Sequence, residues 1–207
     1  MIQLFIGSLL LSIIHAAIPN HWIPLVFISR TEGWKLRETV WYTALVGLAH
    51  TFSTILLGVI IGVIGLKLAA NYKHITEVIA PLVLVFMGLV YLSTNTSHSH
   101  HEHIPDEKNL PKRSKKAILI TLFAAMFFSP CLEIETYYFT AGTFGWPGIL
   151  TVSATYMFVT VGLMVLLVTL GCKGVEKFKW EFLEHHEKKI TGSILILLGL
   201  ISFFLHH

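Results

Sequence analysis

Six side chains capable of metal chemistry stand in stretches almost free of charge: His15, His21, His50, Cys131, Glu133 and Glu135. An ionisable group inside a membrane span is expensive, so each marks a functional site by default. Together they offer imidazole, thiol and carboxylate donors. Imidazole suits nickel, cobalt, zinc and copper, and adding a thiolate disfavours magnesium and calcium. The indicated chemistry is binding of a divalent transition metal. Taken singly, each histidine would serve equally as a hydrogen-bonding residue between helices, and Cys131 as a small packing residue. The combination points to a site. The chain also has an excess of histidine, twelve in 207 residues. Four of these, His98, His100, His101 and His103, fall within six residues of a polar stretch, a composition suited to weak multiple metal binding.

The elements that must hold these groups are apolar helices. The composition is 54% hydrophobic and 13% charged, with a mean hydropathy of +0.70. A soluble domain carries about 25% charged residues. That difference excludes soluble enzymes, nucleic-acid modules and secreted disulfide scaffolds. Two cysteines make no disulfide framework, and Cys172 reads as packing. Six apolar segments follow, at 2–28, 39–66, 75–94, 117–140, 149–171 and 190–205, each near the ~20 residues a helix needs to cross a bilayer. The first lacks a basic leader and continues past Trp22, so it reads as a retained span and not a signal peptide. The fold class expected is an all-α polytopic membrane protein of six transmembrane helices.

Charge sets the orientation. The first, third and fifth loops hold three, five and five of the fifteen Lys and Arg residues, and the opposite side holds only Lys67 and Lys73. This predicts a cell-membrane protein with both termini outside and the His-rich loop in the cytoplasm.

A shift of 110 or 111 residues superposes the halves. Thr43-Ala44 falls on Ser153-Ala154, Pro19-Asn20-His21 on Ser129-Pro130-Cys131, and Leu84–Leu89 on Leu195–Leu200. Three spans per half is an odd number, so the halves must be inverted, as in many secondary transporters. The expected organisation is a first three-helix repeat (1–94), a His-rich linker (95–114) and a second three-helix repeat (115–207).

Depth and angle decide whether the donors can meet. At ~1.5 Å per residue, His15, His50 and Cys131 share a level near the membrane centre. His15 and His21 are six apart and would diverge by ~120° on an unbroken helix. Three prolines change this, because proline cannot donate to the carbonyl four residues back. Pro19, Pro24 and Pro130 are therefore expected helix breaks, releasing the carbonyls of His15, Asn20 and Met126 as extra ligands. Cys131 and Glu135, four apart, should share a face, with Glu133 pointing elsewhere unless the break extends through it.

These residues resemble a known family. His15-Ala16-Ala17-Ile18-Pro19-Asn20-His21 is similar to the first-helix signature of the NicO-type nickel/cobalt transporters, a His-Ala pair with a second His six residues on. Leu48-Ala49-His50-Thr51 resembles their second-helix motif, and Ser129-Pro130-Cys131 the Pro-Cys element of the efflux-like branch, which also carries a His-rich cytoplasmic loop. The resemblance implies movement of nickel or cobalt with His15, His21 and His50 in the ion path. Ile18 and Asn20 stand where the import branch has acidic residues, and Glu133 and Glu135 have no counterpart in the efflux pattern.

The expectation is a transporter and not an enzyme. Its partners are the lipid bilayer and a divalent cargo ion (nickel or cobalt, with zinc also suited), with no permanent cofactor and no nucleic acid. Oligomeric state, metal identity and direction stay open. Two rivals belong to other classes: a membrane thiol–disulfide electron carrier, which needs a second cysteine able to meet Cys131, and a haem or metal oxidoreductase with His15 and His50 as axial ligands.

Overall fold

The computed structural model describes residues 1–71, 78–93, 114–129, 131–174 and 181–206. These are helical apart from short connections, with no strand among them. Eight helices follow in order: α1 (Ile2–Ala17), α2 (Pro19–Thr31), α3 (Leu36–Asn71), α4 (Ala80–Ser93), α5 (Lys115–Phe127), α6 (Leu132–Thr143), α7 (Gly145–Cys172) and α8 (Glu181–His206). Three stretches are long and apolar enough to cross a membrane: Ile2–Thr31, Leu36–Asn71 and Gly145–Cys172. A fourth arises if α5 and α6, bent by 47°, form one broken span. The apolar helices at Ala80–Ser93 and Lys189–Phe204 are shorter than the ~20 residues of a full crossing. The linker histidines His98, His100, His101 and His103, and Pro130, lie outside the described residues.

The bundle is apolar on its outer surface, and small polar residues are buried among the apolar ones of its interior. Phe86, Ile120, Leu150 and Phe158 are exposed, whereas Ser8, Ser12, Thr43, Thr51, Thr54 and Thr160 are buried. In water this would be an aggregating surface; against lipid it costs nothing. The buried hydroxyls are mostly satisfied locally, as Ser12 Oγ donates to the Ser8 carbonyl at 2.6 Å and Thr43 Oγ1 to the Thr39 carbonyl at 2.8 Å. Small residues let backbones meet where no hydrophobic force drives helices together. A Cβ at Gly142 of α6 would collide with the Gly62 carbonyl of α3, so two glycines fix that approach.

Helices α3 and α7 pack on each other at the centre, α1 and α2 lie on α7, and α5 and α6 lie on α3. Helices α4 and α8 join the core through α6 and α1 and pack most extensively on each other. There Gly88 faces Gly192 and Ile196, while Gly199 faces Pro81 and Val85. The register runs backward along α8 as it runs forward along α4, so the pair is antiparallel. Adding 111 to Pro81, Val85 and Gly88 gives Gly192, Ile196 and Gly199, so the two contact sets exchange under the shift found in the sequence.

Candidate metal centre

The first break forms at Ile18, whose backbone is extended (φ −62°, ψ 130°), and α2 restarts with Pro19 in its first turn. The kink brings the rings of His15 and His21 to 4.4 Å between centroids, although the two are six residues apart. Released carbonyls at this break do not stay loose. The His15 carbonyl accepts from the Ile18 amide at 3.3 Å, and the Trp22 indole donates to the Ala17 carbonyl at 3.3 Å. The His15 carbonyl is therefore not left loose, as the proline alone would have it, but accepts from a short-range amide. Pro24 likewise makes no break, since α2 runs through it to Thr31.

The second break separates α5 from α6. Cys131 is the extended residue just before α6 (φ −94°, ψ 103°), so it lies outside the helix and the four-residue face rule does not reach it. Its thiol meets Glu133, with Sγ 2.8 Å from Oε2. Glu135 is buried with Oε1 lacking a hydrogen-bond partner, and it belongs to neither donor group described below. The expected pairing of Cys131 with Glu135 is therefore replaced by a pairing with Glu133. The Met126 carbonyl, which no amide at position 130 can claim because that residue is proline, is also not free. The Ser129 amide donates to it at 3.4 Å, and His50 Nδ1 lies 3.2 Å away.

The donors converge. His15 Nε2 and His50 Nε2 are 3.0 Å apart, with their rings stacked within 9° of parallel. The ring of His21 stands 5.1 Å from that of His50 between centroids, and His21 Nδ1 is buried without a partner. On the other side of the same imidazole, His15 Nδ1 lies 3.1 Å from Cys131 Sγ. Two groups of three thus have all their donor atoms within 4.8 Å: His15, His21 and His50, and His15, Cys131 and Glu133. An ion ~2.1 Å from each nitrogen needs donor spacings of roughly 3.0 to 3.4 Å, within reach of side-chain rotation. Three protein ligands would leave a fourth position open on a tetrahedral ion.

His50 shows how the site is oriented. When Nδ1–H donates to the Met126 carbonyl, the ring keeps its lone pair on Nε2, aimed at His15 and His21. Metal-binding histidines are held this way by a backbone or carboxylate acceptor behind them. Tyr156 of α7 brings its hydroxyl to 3.2 Å from the same Nε2. Sequence reasoning missed Tyr156, yet a signal existed. It precedes by one helical turn Thr160, the residue that the 110-residue shift aligns with His50. Cys172 stands apart at the end of α7, with its thiol 3.8 Å from Ser29 Oγ.

The chain matches no protein-family model, no curated protein and no solved structure.

Proposed function

We propose that the protein is a membrane transporter for a divalent transition-metal cation, with nickel and cobalt the best-suited cargo. The observation that supports it most is the convergence of His15, His21 and His50 from α1, α2 and α3 into one buried cluster, inside a bundle whose outer surface is apolar. Neutral imidazoles would replace hydration waters, and Cys131 and Glu133 would supply anionic charge beside them. In this reading α1–α2, α3 and α4 form one three-helix repeat, and α5–α6, α7 and α8 form the other, inverted. The exchange of contacts between Gly88 and Gly199 across α4 and α8 supports that symmetry. In this reading α4 and the apolar part of α8, Lys189–Phe204, complete six spans, and the Lys-rich loops support a cytoplasmic side for the His-rich linker.

The rivals fare less well on geometry. From Tyr156, beside the centre, to Cys172 is sixteen residues of continuous helix, roughly 24 Å at the helical rise. A Cys131–Cys172 disulfide would need α7 to be dismantled. A haem held between His15 and His50 needs a slot for its macrocycle, but these rings touch at 3.0 Å with His21 packed against both.

Proteoliposome flux tests the reading. Nickel or cobalt entry into vesicles should occur with the intact chain and be abolished in His15→Ala and His50→Ala, both checked for folding by monodisperse elution. Undiminished flux in both variants overturns it.

A further inference from the structure

His15 belongs to both donor groups, and through opposite ring nitrogens. Its Nε2 faces His50 Nε2 at 3.0 Å, and its Nδ1 faces Cys131 Sγ at 3.1 Å, with Glu133 Oε2 2.8 Å beyond the sulfur. A neutral imidazole has one lone pair and one N–H, so it can ligate on one side only. We infer that the centre is a device for one ion with two alternative positions, an all-nitrogen trio (His15, His21, His50) and a mixed trio (His15, Cys131, Glu133), with His15 as the ligand that makes occupancy exclusive. This rests on the metal-binding reading above.

The protons balance as follows. With the ion in the nitrogen trio, His15 binds through Nε2 and its Nδ1–H donates to the thiol of Cys131. With the ion in the mixed trio, His15 binds through Nδ1, its N–H sits on Nε2 and donates to His50 Nε2, and Cys131 is a thiolate. Passing from the first state to the second removes one proton from Nδ1, adds one to Nε2 and loses the thiol proton, a net release of one proton to water. No electrons move. The positions differ in charge as well. Three neutral imidazoles leave a divalent ion uncompensated, whereas thiolate and carboxylate neutralise it. Two ions held at once would also repel each other strongly at low dielectric. The nitrogen trio therefore suits admission of the ion and the mixed trio its retention, the kind of paired site that lets an ion advance in steps.

Counting ions bound to the full chain in detergent tests this, with cobalt(II) as the probe, equilibrium dialysis followed by metal analysis as the count, and thiolate-to-cobalt charge-transfer absorption as the reporter of position. Because differences from wild type are read, ions held elsewhere on the chain cancel. Expected results are that His21→Ala and Cys131→Ser each bind as many ions as wild type. His21→Ala keeps the thiolate absorption and Cys131→Ser lacks it. His15→Gln, and independently the double variant His21→Ala with Cys131→Ser, each bind one ion fewer. The double variant supplies the subtraction if His15→Gln fails to fold. Loss of two ions in either, or of one in each single variant, overturns exclusivity while leaving the transport reading intact. Loss of none in any variant overturns both.

Discussion

The imidazole of His50 spans the two proline breaks, with Nε2 3.0 Å from His15 Nε2 and Nδ1 3.2 Å from the carbonyl oxygen of Met126. One break delivers a ligand partner and the other an acceptor that sets the tautomer. His50→Asn separates these duties, because an asparagine amide reproduces the position of Nδ1 and stops short of Nε2. Made in Cys131→Ser, where only the nitrogen trio can hold the ion, the change should leave folding and the Met126 contact intact and lower metal affinity by about tenfold or more, at least the cost of removing an orienting partner behind a ligand. Cobalt titration of the purified protein, with helicity measured alongside, checks it. Unchanged affinity would remove His50 from the ligand set.

Acidity should oppose binding. A proton and a metal compete for the same imidazole lone pair, and a metal-bound thiolate must first lose its proton. Each ligand protonated is therefore one withdrawn, and apparent affinity falls as pH falls. Between about pH 8 and about pH 6, nickel affinity should drop by at least roughly tenfold, and adding nickel to weakly buffered protein should release protons. Affinity independent of pH would mean that no thiolate holds the ion, because imidazoles that are already neutral have no proton to lose.

Much of this centre was legible in the sequence because rise per residue is a rigid rule. Counting depth put His15, His50 and Cys131 at one level, and Pro19 explained how His21 could turn back toward His15. The same rigidity misled at Cys131. A four-residue face exists only on a helix, and Cys131 lies in extended backbone ahead of α6, so its carboxylate partner is Glu133 and not Glu135. Freed carbonyls were also misjudged. Proline removes one donor, but a neighbouring amide such as that of Ile18, or a side chain such as Trp22 or His50, takes up the acceptor. The apolar run at 75–94 reads in the sequence as a full crossing, and among the described residues the α-helix there is Ala80–Ser93, because apolar composition alone does not mark where a helix begins or ends.

Glycine spacing across α4 and α8 makes a stability prediction. A Cβ at Gly88 would stand 2.6 Å from the Gly192 carbonyl oxygen, and one at Gly199 2.8 Å from the Pro81 carbonyl oxygen. These neighbours are backbone and cannot rotate away. Gly88→Ala and Gly199→Ala should each destabilise by about 1–3 kcal/mol, the usual cost of overpacking, and by similar amounts because the contacts are counterparts. Gly162 has open space around its Cβ position, so Gly162→Ala should be neutral or stabilising by up to about 1 kcal/mol, from helix propensity alone. Thermal unfolding of the three variants in one detergent compares them. Equal midpoints would mean that α4 and α8 do not meet through these glycines.

Glu135 should prove dispensable for metal and costly for stability. Its Oε1 is buried without a partner, and such a group costs about 1–3 kcal/mol. Glu135→Met keeps the length of the side chain and removes that oxygen, so the unfolding midpoint should rise while cobalt affinity stays unchanged. Glu133→Gln should do the opposite, weakening the thiolate–cobalt absorption with little effect on the midpoint. A fall in cobalt affinity in Glu135→Met would return Glu135 to the ligand set.

Tyr156 gives the sharpest sign test. Its hydroxyl lies 3.2 Å from His50 Nε2, the nitrogen that would bind the ion. If the hydroxyl donates to that lone pair in the empty site, loading the site must break the bond, which contributes about 0.5–1.5 kcal/mol net. Tyr156→Phe removes the competitor and keeps the ring, so affinity should rise by roughly 2- to 12-fold, the same energy expressed as a ratio. If the phenol oxygen were itself a ligand, the substitution would weaken binding instead. Cobalt titrations of wild type and Tyr156→Phe under one condition separate the two, and the direction of the shift decides whether Tyr156 guards the empty site or helps to fill it.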